Sequence, residues 1–211
     1  MKYYPVFFNI SGRKCVVAGG GIVAVRKVGK LLDCGAKVVV VSPKLTPELI
    51  HLKTENAIEH VAANYNVQYV KDAVLIIGAT NDEKINAEIF SDGRSLGIPV
   101  NIVDDLQKCD FIVPSVVERG DLTIAVSTGG KSPALARYLR ERLETEYGVE
   151  YEILLHLLGR LRDKMEKNAG IGKVWFDELM AAGLLEAIRQ KEWNKVKEII
   201  INITGEEVIL E

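Results

Sequence analysis

The chain has 211 residues, 48% hydrophobic and 27% charged, with a formal net charge of −2. That composition supports a buried core and excludes a mainly disordered chain. The even charge of both halves excludes the overall basic bias of a nucleic-acid partner. No apolar run approaches the roughly 20 residues of a membrane span. The opening Met1-Lys2-Tyr3-Tyr4-Pro5 lacks a secretory-leader pattern. Cys15, Cys34 and Cys109 are too dispersed for a disulfide framework or a zinc ribbon. His51, His60 and His156 never reach metal-ligand spacing, so a cytoplasmic protein without a permanent metal is expected.

Residues 14–19 form a short apolar run ending in glycines, as a buried parallel strand does. A helix follows from Ile22 to Cys34, with Val28, Leu31 and Leu32 facing the core and Gly35 at its end. Lys37–Val41 is a second strand, completing a βαβ unit. Thr46-Pro47-Glu48 supplies a capping hydroxyl, a proline for the first turn and an acid, which predicts a helix. Strands are then expected at Ile58–Val61, Ala73–Ala79 and Ile98–Val103, the last two separated by a helix capped within Thr80-Asn81-Asp82 and ending near Leu96. Such alternation implies a parallel sheet covered on both faces.

After Asp110 the rhythm changes. Phe111–Val117 and Leu122–Ser127 predict a hairpin around Glu118-Arg119-Gly120-Asp121, and Ser132-Pro133 opens a helix that Gly148 stops near Tyr147. From Glu150 the sequence is helical, with a stripe of Leu154, Leu155, Leu158, Leu161 and Met165. Gly170 and Gly172 interrupt it before a last helical region around Trp175–Ile200. The expected organisation is a Rossmann domain over residues 1–113, a hairpin-plus-helix dimerisation segment over 114–148 and a helical domain over 149–211.

Gly19-Gly20-Gly21-Ile22-Val23-Ala24 fits the dinucleotide fingerprint, with alanine in the third position. Gly19 permits the turn out of the strand. Gly21 lets a pyrophosphate approach the amides at the helix N-terminus, where the dipole favours anions. The acid expected at the end of the second strand, to hold a ribose hydroxyl, is replaced by Ser42-Pro43-Lys44. Serine can hydrogen-bond the ribose and Lys44 favours a 2′-phosphate, so residue chemistry leaves NAD and NADP open. Residues 125–132, Ala-Val-Ser-Thr-Gly-Gly-Lys-Ser, nearly match a P-loop but lack its first glycine, and Pro133 removes an amide from the helix start. The other reading is an anion-friendly loop for substrate carboxylates.

These segments also resemble a known family. Gly19–Lys27, Val41–Pro43, Ala79-Thr80, Val100–Asp104, Phe111–Ser115 and Ser127–Arg137 share the order and spacing of the precorrin-2 dehydrogenase family. That family stands alone in some organisms and forms the N-terminal module of siroheme synthase in others. The resemblance covers about residues 1–145. It implies NAD-dependent oxidation of precorrin-2 to sirohydrochlorin, a homodimer, and a separate methyltransferase supplying the substrate, for which 211 residues leave no room. Some members also insert ferrous iron. The family's essential aspartate maps to Asp104, and its cofactor contacts to Ile22, Val23, Pro43 and Lys44. Gly19, Gly21, Ser42, Ala79, Thr80 and Asn101 complete the expected cofactor site. Some relatives carry at the position of Thr128 a serine that is phosphorylated.

Asp104 stands just past the fifth strand, where open α/β sheets place ligands. As a carboxylate it can take a proton while hydride leaves to the cofactor, or coordinate an incoming metal. By position alone it is equally a turn or capping residue. Asn101 reads either as a ligand donor or as a strand-end tie. Thr128, Lys131, Ser132 and Arg137 are the candidates for substrate carboxylates. Two other activities remain in view: a sirohydrochlorin ferrochelatase using Asp104, and a non-catalytic NAD sensor with a helical dimerisation tail.

Overall fold

The computed structural model describes residues 2–165 and 172–208, and the chain divides into two compact units, Met1–Val113 and Pro114–Glu211. The first is built on five strands: β1 (Lys14–Ala18), β2 (Lys37–Val41), β3 (Ile58–Val61), β4 (Leu75–Gly78) and β5 (Val100–Ile102). They pair in the order β3-β2-β1-β4-β5, all parallel. This is the Rossmann fold, with the reversal of strand order between β1 and β4.

Successive strand residues face opposite sides, so the valine-rich runs feed two cores at once. Cys15, Val17, Val38, Val40, Leu75 and Ile77 pack against Ala24, Val28 and Leu31 of α1 (Ile22–Asp33) and Leu49 of α2 (Pro47–Thr54). Val16, Ala18, Val39, Val41 and Ile76 pack on the other side with Ile89 of α3 (Glu83–Leu96). Each fully buried valine or isoleucine here stabilises the fold by about 1.5–3 kcal/mol.

Several local expectations change. Thr46 precedes α2, but its hydroxyl makes no capping bond and is buried without a partner; its backbone N–H instead donates to the Gly20 carbonyl at 3.0 Å. The hairpin begins at Ser115, not Phe111: β6 (Ser115–Arg119) and β7 (Leu122–Val126) pair antiparallel across Gly120-Asp121. Pro114 has no N–H for a ladder, and Phe111 packs in the first unit's core.

In the second unit α4 (Pro133–Glu146) packs on the hairpin, and α5 (Glu150–Met165), α6 (Gly172–Ala181), α7 (Leu184–Arg189) and α8 (Trp193–Thr204) form a helical cluster. The helical region expected around Trp175–Ile200 comprises three helices, separated at Gly183, which adopts φ +82°, and at Lys191. Leu154, Leu157 and Leu161 are buried with Trp175, Leu179, Ile188 and Ile200. Leu155, expected in the stripe, is exposed and Leu157 takes its place. Gly170 and the Met165 side chain lie outside the described residues. The buried Glu150 carboxylate accepts from Arg189 at 3.0 and 3.2 Å, tying α5 to α7. Burial pushes that carboxyl up, but hydrogen bonds from its own backbone, from Arg189 and from the Gly148 N–H outweigh this and hold it below the usual range. No helix among the described residues is long and apolar enough to cross a membrane.

Candidate functional site

The carboxyl ends of three central strands are level. Ala18 pairs with Gly78 and Gly78 with Ile102, so Gly19, Ala79 and Val103 leave the sheet side by side. The ladder extends one residue further, through Gly19 N–H to Val41 O, Ala79 N–H to Ala18 O and Val103 N–H to Gly78 O, all 2.8–2.9 Å. With strands about 4.8 Å apart, β1 and β5 deliver their loops about 10 Å from each other.

The three glycines have different reasons. Gly19 has φ +129°, and a Cβ there would lie 2.3 Å from the Ala79 carbonyl oxygen. At Gly20 a Cβ would lie 2.0 Å from the Lys44 carbonyl oxygen and 2.7 Å from Ser42 Oγ. Gly20 is thus fixed by the β2–α2 loop, a constraint that the fingerprint, which leaves that position open, does not signal. Gly21 has an ordinary φ of −90°, and a Cβ there would meet nothing within 4 Å. It is the N-cap of α1, makes no side-chain cap, and the first turn holds no acid. An uncapped helix start with backbone approachable at Gly21 fits a pyrophosphate. Ile22 is exposed, Val23 half-buried and Ala24 fully buried against the sheet.

Beside the glycine loop, Ser42 is buried and its hydroxyl donates to the Lys44 carbonyl at 2.8 Å. It shapes the loop from within, while Pro43 and Lys44 are exposed. His60 Nε2 lies 2.9 Å from the Ser42 carbonyl and braces the same loop from β3. Ala79 and Thr80 are half-buried at the head of β4.

Asn101 is buried on β5, and its amide donates to the Phe111 carbonyl at 2.9 Å and to Cys109 Sγ at 3.5 Å. Both protons are used within the protein, so Asn101 acts as the strand-end tie and not as a free donor to a ligand. Asp104 is exposed and has φ +64°, the left-handed region. Asp105 caps the single-turn helix Leu106–Lys108, accepting from the N–H groups of Gln107 and Lys108, and the Lys108 ammonium on it holds its carboxyl below the usual range.

Lys27 was not singled out as a site residue by sequence, although it sits at i+3 from Ala24 on the packed face of α1. Burial lowers its ammonium below the usual value and Arg26 adds to this, while Asp104 and Cys109 act in the opposite sense. A half-buried cation therefore lies within electrostatic range of the Asp104 carboxylate. Burial likewise pushes the Cys109 thiol up.

The remaining candidates belong to the second unit. Thr128 Oγ1 donates to the Ser132 carbonyl at 3.0 Å and accepts the Ser132 N–H at 3.1 Å. Ser132 Oγ caps α4 by accepting the Leu135 N–H. Gly129 and Gly130 both adopt positive φ, Lys131 is exposed, and Arg137 pairs with Glu141 at 2.8 Å. β7 belongs to an antiparallel hairpin, so this loop lacks the parallel-strand setting of a P-loop. No cluster of three metal-ligating side chains occurs among the described residues.

Residues 6–115 match the model of a family described as "Putative NAD(P)-binding", and residues 119–146 match one described as "Sirohaem biosynthesis protein central". The chain is 44% identical over 169 residues to a siroheme synthase of Nitrosomonas europaea, covering 80% of this chain and 36% of that protein. It is 40% identical over 195 residues to a siroheme synthase of Neisseria meningitidis serogroup C, covering 92% of this chain and 38% of that protein. The chain thus spans little more than a third of the length of these relatives. Among solved structures, "SirC, precorrin-2 dehydrogenase" has the same fold, with a TM-score of 0.73 at 24% identity over 97% of this chain and 100% of that one.

Proposed function

We propose, because the chain belongs to the NAD(P)-binding family, that it oxidises precorrin-2 to sirohydrochlorin with NAD+. The observation that carries the reading is the level edge at which β1, β4 and β5 end, with an approachable glycine loop at one side and Asp104 at the other. The names of the siroheme synthase relatives support a place in siroheme synthesis, and the solved structure of the same fold is titled a precorrin-2 dehydrogenase.

Bound NAD+ supplies the hydride acceptor. Gly19, Gly21, Ile22 and Val23 hold the pyrophosphate at the start of α1, and Ser42-Pro43-Lys44 shape the ribose side at β2. Ala79 and Thr80, at the end of β4, would complete the residues that hold the cofactor. Conversion removes one hydride and one proton from the substrate, and the Asp104 carboxylate takes the proton. Within the second unit, Thr128, Lys131, Ser132 and Arg137 are the candidates for carboxylate binding, through ammonium, guanidinium and backbone donors. The 114–148 segment makes a homodimer: Leu135, Tyr138 and Leu139, at helical spacing on α4, are exposed together. The protein works in the cytoplasm, and a methyltransferase supplies its precorrin-2.

The test is anaerobic incubation with precorrin-2 under metal-free conditions, with NAD+, NADP+ or neither, following sirohydrochlorin and reduced cofactor by absorbance. NAD-dependent conversion that disappears in Asp104→Ala is expected. Iron insertion into supplied sirohydrochlorin without any dehydrogenation would replace this reading with a chelatase. Cofactor binding with neither reaction would replace it with a sensor.

A further inference from the structure

Four residues, 79–82, join β4 to α3, and Asn86, half-buried in α3, reaches back over them. Its Nδ2 donates to the Thr80 carbonyl at 3.0 Å, and its Oδ1 accepts the Thr80 hydroxyl proton at 2.9 Å. One amide therefore grips one residue through both side chain and backbone. The Thr80 oxygen in turn accepts the Asp82 N–H at 3.2 Å, which closes the turn on itself. Helix capping does not need this arrangement, because Asp82 already accepts the N–H groups of Lys84 and Ile85.

The gripped turn is part of the site edge. Ala79, directly before Thr80, is bonded to Ala18, and its carbonyl is the atom that Gly19 must clear. The Thr80–Asn81 peptide is trans and planar. Drawing its carbonyl onto α3 therefore turns the Asn81 N–H the opposite way, away from the helix.

We infer that Asn86 is a positioning residue for the cofactor, holding Thr80 and the Asn81 amide in the orientation that meets the dinucleotide. This rests on the reading of the β1–β4 edge as the cofactor site. The experiment compares the full chain with Asn86→Ala, Asn86→Asp and Thr80→Val, measuring NAD+ affinity by titration, Tm, and kcat and KM for precorrin-2 oxidation. Asn86→Ala raises the Kd and KM for NAD+ about tenfold while kcat at saturating NAD+ is kept. Asn86→Asp still accepts the hydroxyl but sets a carboxylate against the Thr80 carbonyl, so it weakens binding at least as much. Thr80→Val removes one arm, weakens binding about threefold, and adds little in the Asn86→Ala background. A lowered Tm with unchanged NAD+ affinity in Asn86→Ala overturns the inference, as does full additivity of the two variants. A wild-type chain that binds neither NAD+ nor NADP+ overturns the cofactor reading and the inference together. Should Asn86→Ala not fold, Thr80→Val decides: unchanged affinity there refutes the clamp.

Discussion

Replacing Asp104 by glycine should make the protein more stable and inactive. Asp104 holds φ +64°. A left-handed conformation costs an ordinary L-residue about 1–2 kcal/mol, less for aspartate, and glycine nothing. Against this, glycine adds freedom to the unfolded chain, worth about 0.4–1 kcal/mol, and the attraction between Lys27 and Asp104 is lost. The carboxylate is exposed and Lys27 is only half-buried, so no fully buried partner is stranded. The net is a gain of about 0.5 kcal/mol, or roughly 1–3 °C in Tm. Asp104→Asn keeps a residue that tolerates this backbone and should match the wild type, whereas Asp104→Ala should melt lower than either. If Asp104 has the proposed role, all three variants lose the proton acceptor, and turnover should fall about 10²–10⁴-fold. Scanning calorimetry is the right assay, because Trp175 and Trp193 are the only two tryptophans and both report on the second unit. A glycine variant melting well below the wild type, or any of the three retaining turnover, refutes the reasoning.

Gly20→Ala drives a methyl into the Lys44 carbonyl and should lower Tm by on the order of 8 °C, while Gly21→Ala should leave Tm within about 2 °C and weaken NAD+ binding more than about tenfold; equal effects of the two on Tm would contradict the separate roles. Cys15 is buried and its thiol is pushed up to about 11, whereas an unfolded thiol titrates near 8.5. Between these values the folded state holds a proton that the unfolded chain has lost, so stability falls by about 1.4 kcal/mol per pH unit as pH rises through that window. Cys15→Val should flatten this alkaline loss in urea titrations. Glu150→Ala should cost about 1–2 kcal/mol by urea melts read from tryptophan fluorescence, because half-exposed Arg189 can return to water. The Glu150 carboxyl is held below its usual range, so its contribution is present at neutral pH and lost as pH falls through that depressed value.

The parallel sheet was legible because buried strands reduce to valine-rich runs bounded by glycine, and strand-to-helix spacing then fixes the edge where ligands bind. What escaped depends on distant contacts. Gly20 occupies an unrestricted position of the fingerprint, and only the approach of the Lys44 carbonyl makes it necessary. Asn86 is one polar residue inside a helix, and nothing local marks it. Phe111-Ile112-Val113 reads as a strand, yet Pro114 ends the ladder, and Asp110 ties this stretch to β5 by taking the Val100 N–H on its carboxylate. Leu155 and Leu157 both fit a helical stripe, and only the packing of α5 into the core of the second unit selects Leu157. Thr46 has the sequence of a cap, but its backbone is drawn to Gly20 and its hydroxyl is left without a partner.

Backbone strain alone would not have picked out Asp104. Among the described residues, four non-glycine residues have positive φ: Asn56, Asp72, Asp104 and Lys191. Asn56 follows α2 and donates to the Lys53 carbonyl, Asp72 lies in the turn before β4, and Lys191 links α7 to α8. Asn56 and Asp72 enter strands from their amino-terminal ends, opposite the edge where open sheets bind ligands, and polar residues there relax a turn at little cost. Asp104 is the one of these that follows a strand, at the same level as the glycine loop and within electrostatic range of a half-buried lysine. The strain becomes informative through that address, because the same carboxylate in either other turn would have no cofactor within reach. Exchanging the sites makes the point testable: Asp72→Gly should raise Tm about as much as Asp104→Gly and leave NAD-dependent turnover intact.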